Sequence, residues 1–187
     1  MKIENLKQSE KTINFLFLKS IIDGRIYFTL LLSFFITTLG FSQNSSKPII
    51  PIVEVDSYLN TLKSSSQTTN YKKLESLLND VQPSIYLMKG LVNTYGTRPI
   101  CIYSDVTSFN LLNNNLPLTD EIELLTVKIQ TPSDLKNQID LSSVYKLKKL
   151  KYIYFQLNFD CRASDLSQFI KNWKENYIIL YKIEKGA

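Results

Sequence analysis

One apolar frame is written several times along the second half of this chain. In the segment 150–158 (LKYIYFQLN), Leu150 is followed by Ile153, Phe155 and Leu157 at alternate positions. Ile122, Leu125, Val127 and Ile129 fall on Leu150, Ile153, Phe155 and Leu157 at one constant offset. Ile179, Tyr181 and Ile183 fall on Ile153, Phe155 and Leu157 at a second constant offset, slightly shorter than the first. Ile100 and Ile102 fit the same frame one interval before Leu125 and Val127, respectively. Apolar residues at a period of two mark strands with one face turned to a core. A strand repeated at a near-constant interval predicts units that stack, each laying its strand beside the last.

The segments between the strands fill out the expected order. Strands are expected over 85–87, 99–103, 122–129, 152–159 and 177–183, with a loop over 90–96. Asn113, Asn114, Asn115 and Pro117 mark a turn-rich break. Pro132 suits the entry of a helix or irregular arc running to Leu150. Ser164 can cap a helix through Trp173 with Leu166, Phe169, Ile170 and Trp173 as its stripe. The order Ser-Asp-Leu recurs at 133–135 and 164–166. Upstream, Pro48 and Pro51 favour an extended segment. Asp56 or Ser57 can cap a short helix through Leu62. A polar linker (SSSQTTN) leads to a second helix over 71–81, where Leu74, Leu77, Leu78 and Val81 share a side.

Repeat lengths of roughly 20 to 29 residues with L-x-x-L-x-L-x-x-N are those of leucine-rich repeats. On these residues the segment 85–183 resembles a divergent leucine-rich-repeat protein. The resemblance implies one short strand per repeat in a parallel sheet, with Leu150, Ile153 and Phe155 inward. It also implies that the Asn158 side chain bonds backbone groups of the turn leaving its strand. Gln130, Glu184 and Asp105 stand at the equivalent positions. The expected class is therefore α/β, a short parallel-strand solenoid with N-terminal helices. The alternative is a compact open α/β sandwich whose βα units have similar lengths.

The beginning of the chain reads as an address. The segment 26–41 (IYFTLLLSFFITTLGF) carries no charge, Lys19 and Arg25 precede it, and Gly40 and Ser42 supply small residues at an exit. A positive flank, a short apolar core and a small-residue exit make a secretory signal. The run is shorter than the ~20 residues of a permanent span. Cleavage is expected near Ser42, with an uncleaved membrane anchor as the alternative. Three parts follow: a signal over 1–42, an N-terminal helical cap over 43–84 and the βα units over 85–187. The mature protein would be secreted, periplasmic or held in the cell envelope.

Of the 22 basic and 17 acidic residues, five and three fall within 1–42, leaving a net charge of +3 beyond it. That balance is too mild to indicate nucleic acid. The chain has no histidine, which removes the commonest general base and the Ser-His and Cys-His nucleophile pairs. Two cysteines cannot form a zinc site alone, and the five glycines build no phosphate loop. No cofactor or metal is expected. Asp120, Glu121 and Glu123 cluster before a strand and read as its solvated entry. Lys146, Lys148, Lys149 and Lys151 read as the wet side of an amphipathic segment. In a solenoid, Cys101 and Cys161 would lie about two strand spacings apart, beyond disulfide reach. A bond between them would instead favour the sandwich.

The candidate binding residues come from strand alternation. With Ile153 and Phe155 inward, Tyr152, Tyr154 and Gln156 point the other way, next to Thr126 and Lys128, Lys182 and Tyr103. This strip mixes aromatic, apolar and basic groups, as protein interfaces do. Alternatively, the N-terminal helices cover it as a second buried face. The expected function is an exported, non-enzymatic interaction module whose protein or peptide partner docks on the strand face. The rival is a small secreted or periplasmic enzyme using carboxylates on a compact α/β domain.

Overall fold

The computed structural model describes residues 50–114, 116 and 120–184, which fall within the compact unit Pro48–Ala187. The expected signal over 1–42 and the polar lead-in after it lie outside the described residues.

The chain is mixed α/β, built on a seven-stranded sheet. In chain order the elements are β1 (Ile52–Glu54), α1 (Val55–Ser64), α2 (Thr68–Asn79), β2 (Ser84–Met88), β3 (Leu91–Tyr95), β4 (Cys101–Asp105) and β5 (Leu124–Ile129). They continue with β6 (Ile139–Asp140), β7 (Tyr152–Leu157), α3 (Ala163–Phe169), β8 (Ile170–Lys171) and β9 (Ile178–Ile183). Short 3-10 turns occupy Phe109–Asn113, Pro132–Lys136 and Leu141–Val144. The sheet order is β1-β9-β7-β5-β4-β2-β3. All neighbours run parallel except the β2–β3 hairpin. β6 and β8 form a separate two-stranded parallel pair.

The register carries most of the expected frame. Leu125, Ile153 and Ile179 lie side by side, as do Val127, Phe155 and Tyr181. β4 departs from it. Ile102 stands beside Leu125 and not beside Val127, and Ser104 takes the place beside Val127. The interval there is therefore shorter than expected by one pair of alternating positions. Ser104 is fully buried in the row that Val127 occupies, and its hydroxyl donates to the Asp105 carbonyl at 2.9 Å. A small hydroxyl with a local acceptor can sit in an apolar row, and apolar matching alone skips over it.

The two sheet faces bury different things. On one, Ile85, Ile102, Leu125, Val127, Ile153, Phe155 and Ile179 pack against Phe109, Leu112, Leu141, Leu147, Leu166 and Phe169. On the other, Cys101, Leu124, Tyr152, Tyr154 and Leu180 pack under Val55 and Leu62 of α1 and Leu74 and Leu77 of α2. Both cysteines are unpaired, Cys101 in the helix-covered layer and Cys161 against the opposite one.

Local chemistry sets the helix ends. Glu54, rather than Asp56 or Ser57, caps α1 by accepting from the Ser57 amide at 2.8 Å. Asp56 in the first turn and Lys63 in the last suit the helix dipole. α2 takes in Thr68, Thr69 and Asn70 from the expected linker and ends at Asn79. Asp80 is extended, so Val81 leaves the expected stripe and is fully exposed. Lys151 reaches the Asn70 side chain at 3.4 Å, and Lys73 pairs with Glu123 at 2.9 Å. These contacts link the exposed edge of α2 to the strand entries, while Leu74 and Leu77 hold the helix on the sheet.

Two expected elements change form. The expected loop over 90–96 is the strand β3, closed on β2 by Lys89 and Gly90, both at positive φ. Two such residues make the hairpin turn whose twist matches the strands. The expected helix through Trp173 stops at Phe169, and Ile170 and Lys171 turn out to pair with β6. The segment 43–84 contributes helices, as expected, and also β1, which joins the sheet beside β9.

Candidate functional site

Parallel sheets tend to bind ligands beyond the carboxyl ends of their strands. Here the rows on the helix-covered face change character in that direction. Cys101, Leu124, Tyr152 and Ile178 form the first row, Tyr103, Thr126, Tyr154 and Leu180 the second, and Asp105, Lys128, Gln156 and Lys182 the third. α1 and α2 lie over the first row and part of the second. Beyond them a cleft of about 500 Å³ opens between the helices and the strand ends.

Six of the seven expected binding residues line this cleft: Tyr103, Thr126, Lys128, Tyr154, Gln156 and Lys182. Tyr152 does not line it. Its side chain is 1 % exposed, among the residues packed under the helices. Thr126 and Tyr154 are 2 % and 8 % exposed, so the strip is a recess and not an open strand face. The opposite wall comes from α1 and α2 and includes Asp56, Asn60, Lys63, Tyr71, Glu75 and Asn79. Sequence reasoning missed these residues. Their helical spacing marks them as the polar margin of each helix, but only the packing of the helices on the sheet turns that margin toward the strands.

The cleft is polar and its carboxylates are engaged. Asp56 meets Lys182 at 3.2 Å, Glu75 accepts from the Tyr71 hydroxyl at 2.6 Å, and Glu184 accepts from the Gln156 amide. Lys63 lies over the Tyr71 ring, 6.0 Å from its centre. Among the described residues, Lys128 has no ion pair or hydrogen bond, and neither do the hydroxyls of Tyr103, Thr126 and Tyr154. Tyr103 stacks on Tyr86 at 4.9 Å. Burial, with Cys101 and Tyr86 beside it, pushes the Tyr103 phenol up to about 12. Burial and the charges of Glu184, Asp56 and Glu54 also raise that of Tyr154. Both phenols therefore keep their protons at neutral pH and can donate.

The other expected clusters lie elsewhere. Glu121 pairs with Lys149 at 2.6 Å and Glu123 with Lys73, which fits a solvated strand entry. Lys146 donates to the Asn114 carbonyl, so the basic run is partly tied to its own surface. Asn158 is exposed; its backbone amide donates to the Ile129 carbonyl at 3.3 Å, and its side chain makes no hydrogen bond among the described residues. Instead, Asp105 holds the turn leaving β4. It accepts from the Lys89 amide, the Thr107 hydroxyl and the Ser108 amide at 2.9, 2.8 and 2.6 Å. Among the described residues no cluster of three acidic or thiol groups could hold a metal ion, and no helix is long and apolar enough to cross a membrane. Burial, with Glu123 nearby, pushes the Cys101 thiol up to about 12, leaving it a poor nucleophile.

No protein-family model, curated protein or solved structure matches this chain.

Proposed function

We propose that this chain is an exported, non-enzymatic interaction module that takes a protein or peptide segment into the cleft at the strand ends. The observation that carries the reading is the convergence of six residues, picked by strand alternation alone, on one recess with unpaired polar groups. A volume of about 500 Å³ lies within the roughly 300–1,000 Å³ typical of ligand sites. It suits a few residues of a segment better than a folded surface. Three tyrosines, Tyr71, Tyr103 and Tyr154, line it and supply the amphipathic contact area that interfaces favour.

We read the sheet as a short solenoid similar to leucine-rich repeats. Its support is that β2, β4, β5, β7 and β9 follow one another in chain order, each parallel to the last. The pairing of β6 with β8 between these strands adds a second row at the same progression. The open α/β sandwich fits the same topology. Removing α3 and β8 together separates the two: a solenoid loses β9, with β1 beside it, before the rest of the sheet, whereas a sandwich loses the whole sheet in one transition.

Affinity capture from envelope extract or culture medium tests the function. Proteins retained by the full chain should be retained by a Leu91→Ser control on β3 and lost with Lys182→Glu and Gln156→Arg at unchanged melting temperature. An identical captured set across all variants overturns the reading. Export is tested by the mass of the protein recovered outside the cytoplasm, expected to begin at Gln43. Retention of every molecule inside the cytoplasm overturns it.

A further inference from the structure

We infer that the cleft seats a single carboxylate of its ligand on Lys128, with the apolar remainder of the ligand against the helices. The inference rests on the binding-module reading above and adds the ligand's chemistry. Three cations line the recess. Lys182 is paired with Asp56, and Lys63, 6.0 Å from the Tyr71 ring centre, is exposed and keeps its hydration. Lys128, half-buried on β5, has no ion pair or hydrogen bond among the described residues; Asp105 stands beside it in register on β4, but its carboxylate accepts from Lys89, Thr107 and Ser108 instead. An ammonium partly removed from water favours an anionic partner, and charge-assisted hydrogen bonds are the strong ones.

The residues around Lys128 define which anion. Thr126 lies two positions earlier on the same face of β5, and Tyr154 stands beside Thr126 in register. Adjacent strands lie ~4.8 Å apart, so two buried residues with unpartnered hydroxyls stand in the row next to that of Lys128. One cation and two neutral donors match the two oxygens of a carboxylate. Asp56, Glu75 and Glu184 line the same recess, and a second negative charge on the ligand would face them. That disfavours phosphate dianions and dicarboxylates. Leu59 and Leu78, half-buried on the helix wall with Val55, Leu77 and Leu124 buried behind them, give the otherwise polar recess one apolar patch, which suits a small apolar group attached close to the carboxylate. The C-terminal end of a peptide and a free aliphatic acid both carry this chemistry.

Equilibrium dialysis of the full chain with mass-spectrometric readout tests it. The probes are a randomised tripeptide pool with free C-terminal carboxylates, the same pool amidated, and hexanoate. The expected result is retention of the acid pool, loss of the amidated pool, and binding weakened tenfold or more by Lys128→Gln but restored by Lys128→Arg. Both variants should melt with the parent. Hexanoate binding that depends on Lys128, without retention of the acid pool, upholds the carboxylate seat and overturns the peptide reading. Equal retention of acid and amide pools, unaffected by Lys128→Gln, overturns the carboxylate seat and leaves the peptide reading standing. Failure of every probe to bind at millimolar concentration overturns the inference.

Discussion

The two faces of the sheet are built from the same strands and do different work. On one face Ile153, Phe155, Leu125 and Val127 are fully buried along the strands, under α3 and the 3-10 turns. On the other, burial fades from Tyr152 through Tyr154 to Gln156 as β7 runs toward its carboxyl end. Alternation decides which face a residue joins. The covering elements decide how far along the strand the burial extends. α1 and α2 span only part of their face, so residues that would otherwise be core line a recess. A recess can thus arise where a covering layer stops short, without a special motif.

The largest expected loss lies on the fully covered face. Phe155 meets Phe169 edge-on at 6.0 Å on the fully covered face. Phe155→Ala should remove about 3–5 kcal/mol, the range for large aromatic truncations in a core, measured by denaturant unfolding. Leu77→Ala should cost somewhat less within the about 2–5 kcal/mol range for leucine. Leu77 is fully buried yet also borders the cleft, where water can fill part of the space left behind. A loss at Leu77 above that at Phe155 would mean that the helix layer, not the α3 layer, carries the fold.

Next comes the turn that ties β4 to the hairpin. Burial acts to raise the Asp105 carboxyl, but the hydrogen bonds from Lys89, Thr107 and Ser108 together outweigh it and hold it below its ordinary value of 3.8. A depressed folded-state pKa contributes stability that is present above the unfolded value and lost as pH falls through the folded one. The parent should therefore lose this contribution only below about pH 4, and Asp105→Ala should lose it at every pH. At neutral pH the expected cost is about 1.5–3 kcal/mol, the range for charged hydrogen bonds. Melting curves of parent and variant between acid and neutral pH check it; a gap that widens toward acid would show that the sign is wrong.

Much of this was legible in the residues, for a physical reason. Leu125, Ile153 and Ile179 had to be apolar because each lies in the same buried row, so a near-constant interval between them survives in the sequence. The same alternation placed Thr126, Tyr154 and Lys182 on the opposite face. What the sequence hid depends on distant partners or special backbone. β1 joins β9 from the other end of the described chain, and so short a strand carries too little pattern to announce that pairing. β3 is exposed along its length, so no burial pattern marks it, and its turn needs positive φ at Lys89, a residue type that does not advertise it. Ser104 broke the apolar count in β4. The helix wall of the cleft was hidden because Asp56, Asn60 and Glu75 look like ordinary solvent-facing residues until α1 and α2 are laid across the strands.

At the mouth of the cleft the covering layer ends in an exposed ion pair. Lys182 and Asp56 meet at 3.2 Å with side chains 38 % and 58 % exposed, joining β9 to α1. Exposed pairs are worth about 0–1 kcal/mol, so Lys182→Met should shift stability by no more than that. Two accounts of the helix layer then separate. If apolar contacts at Val55 and Leu62 hold α1 down, Lys182→Met, Asp56→Asn and the double variant should all melt within about four degrees of the parent. Only binding at the cleft should change, because the pair shapes its opening. If the ion pair itself holds α1 down, each single variant should expose the tyrosines beneath. Tyr154 fluorescence quenching by iodide would then rise, and amide exchange in Val55–Ser64 would accelerate. The buried positions of Val55 and Leu62, at 3 % and 4 % exposure, favour the first account, since their transfer from water outweighs a screened surface pair several-fold.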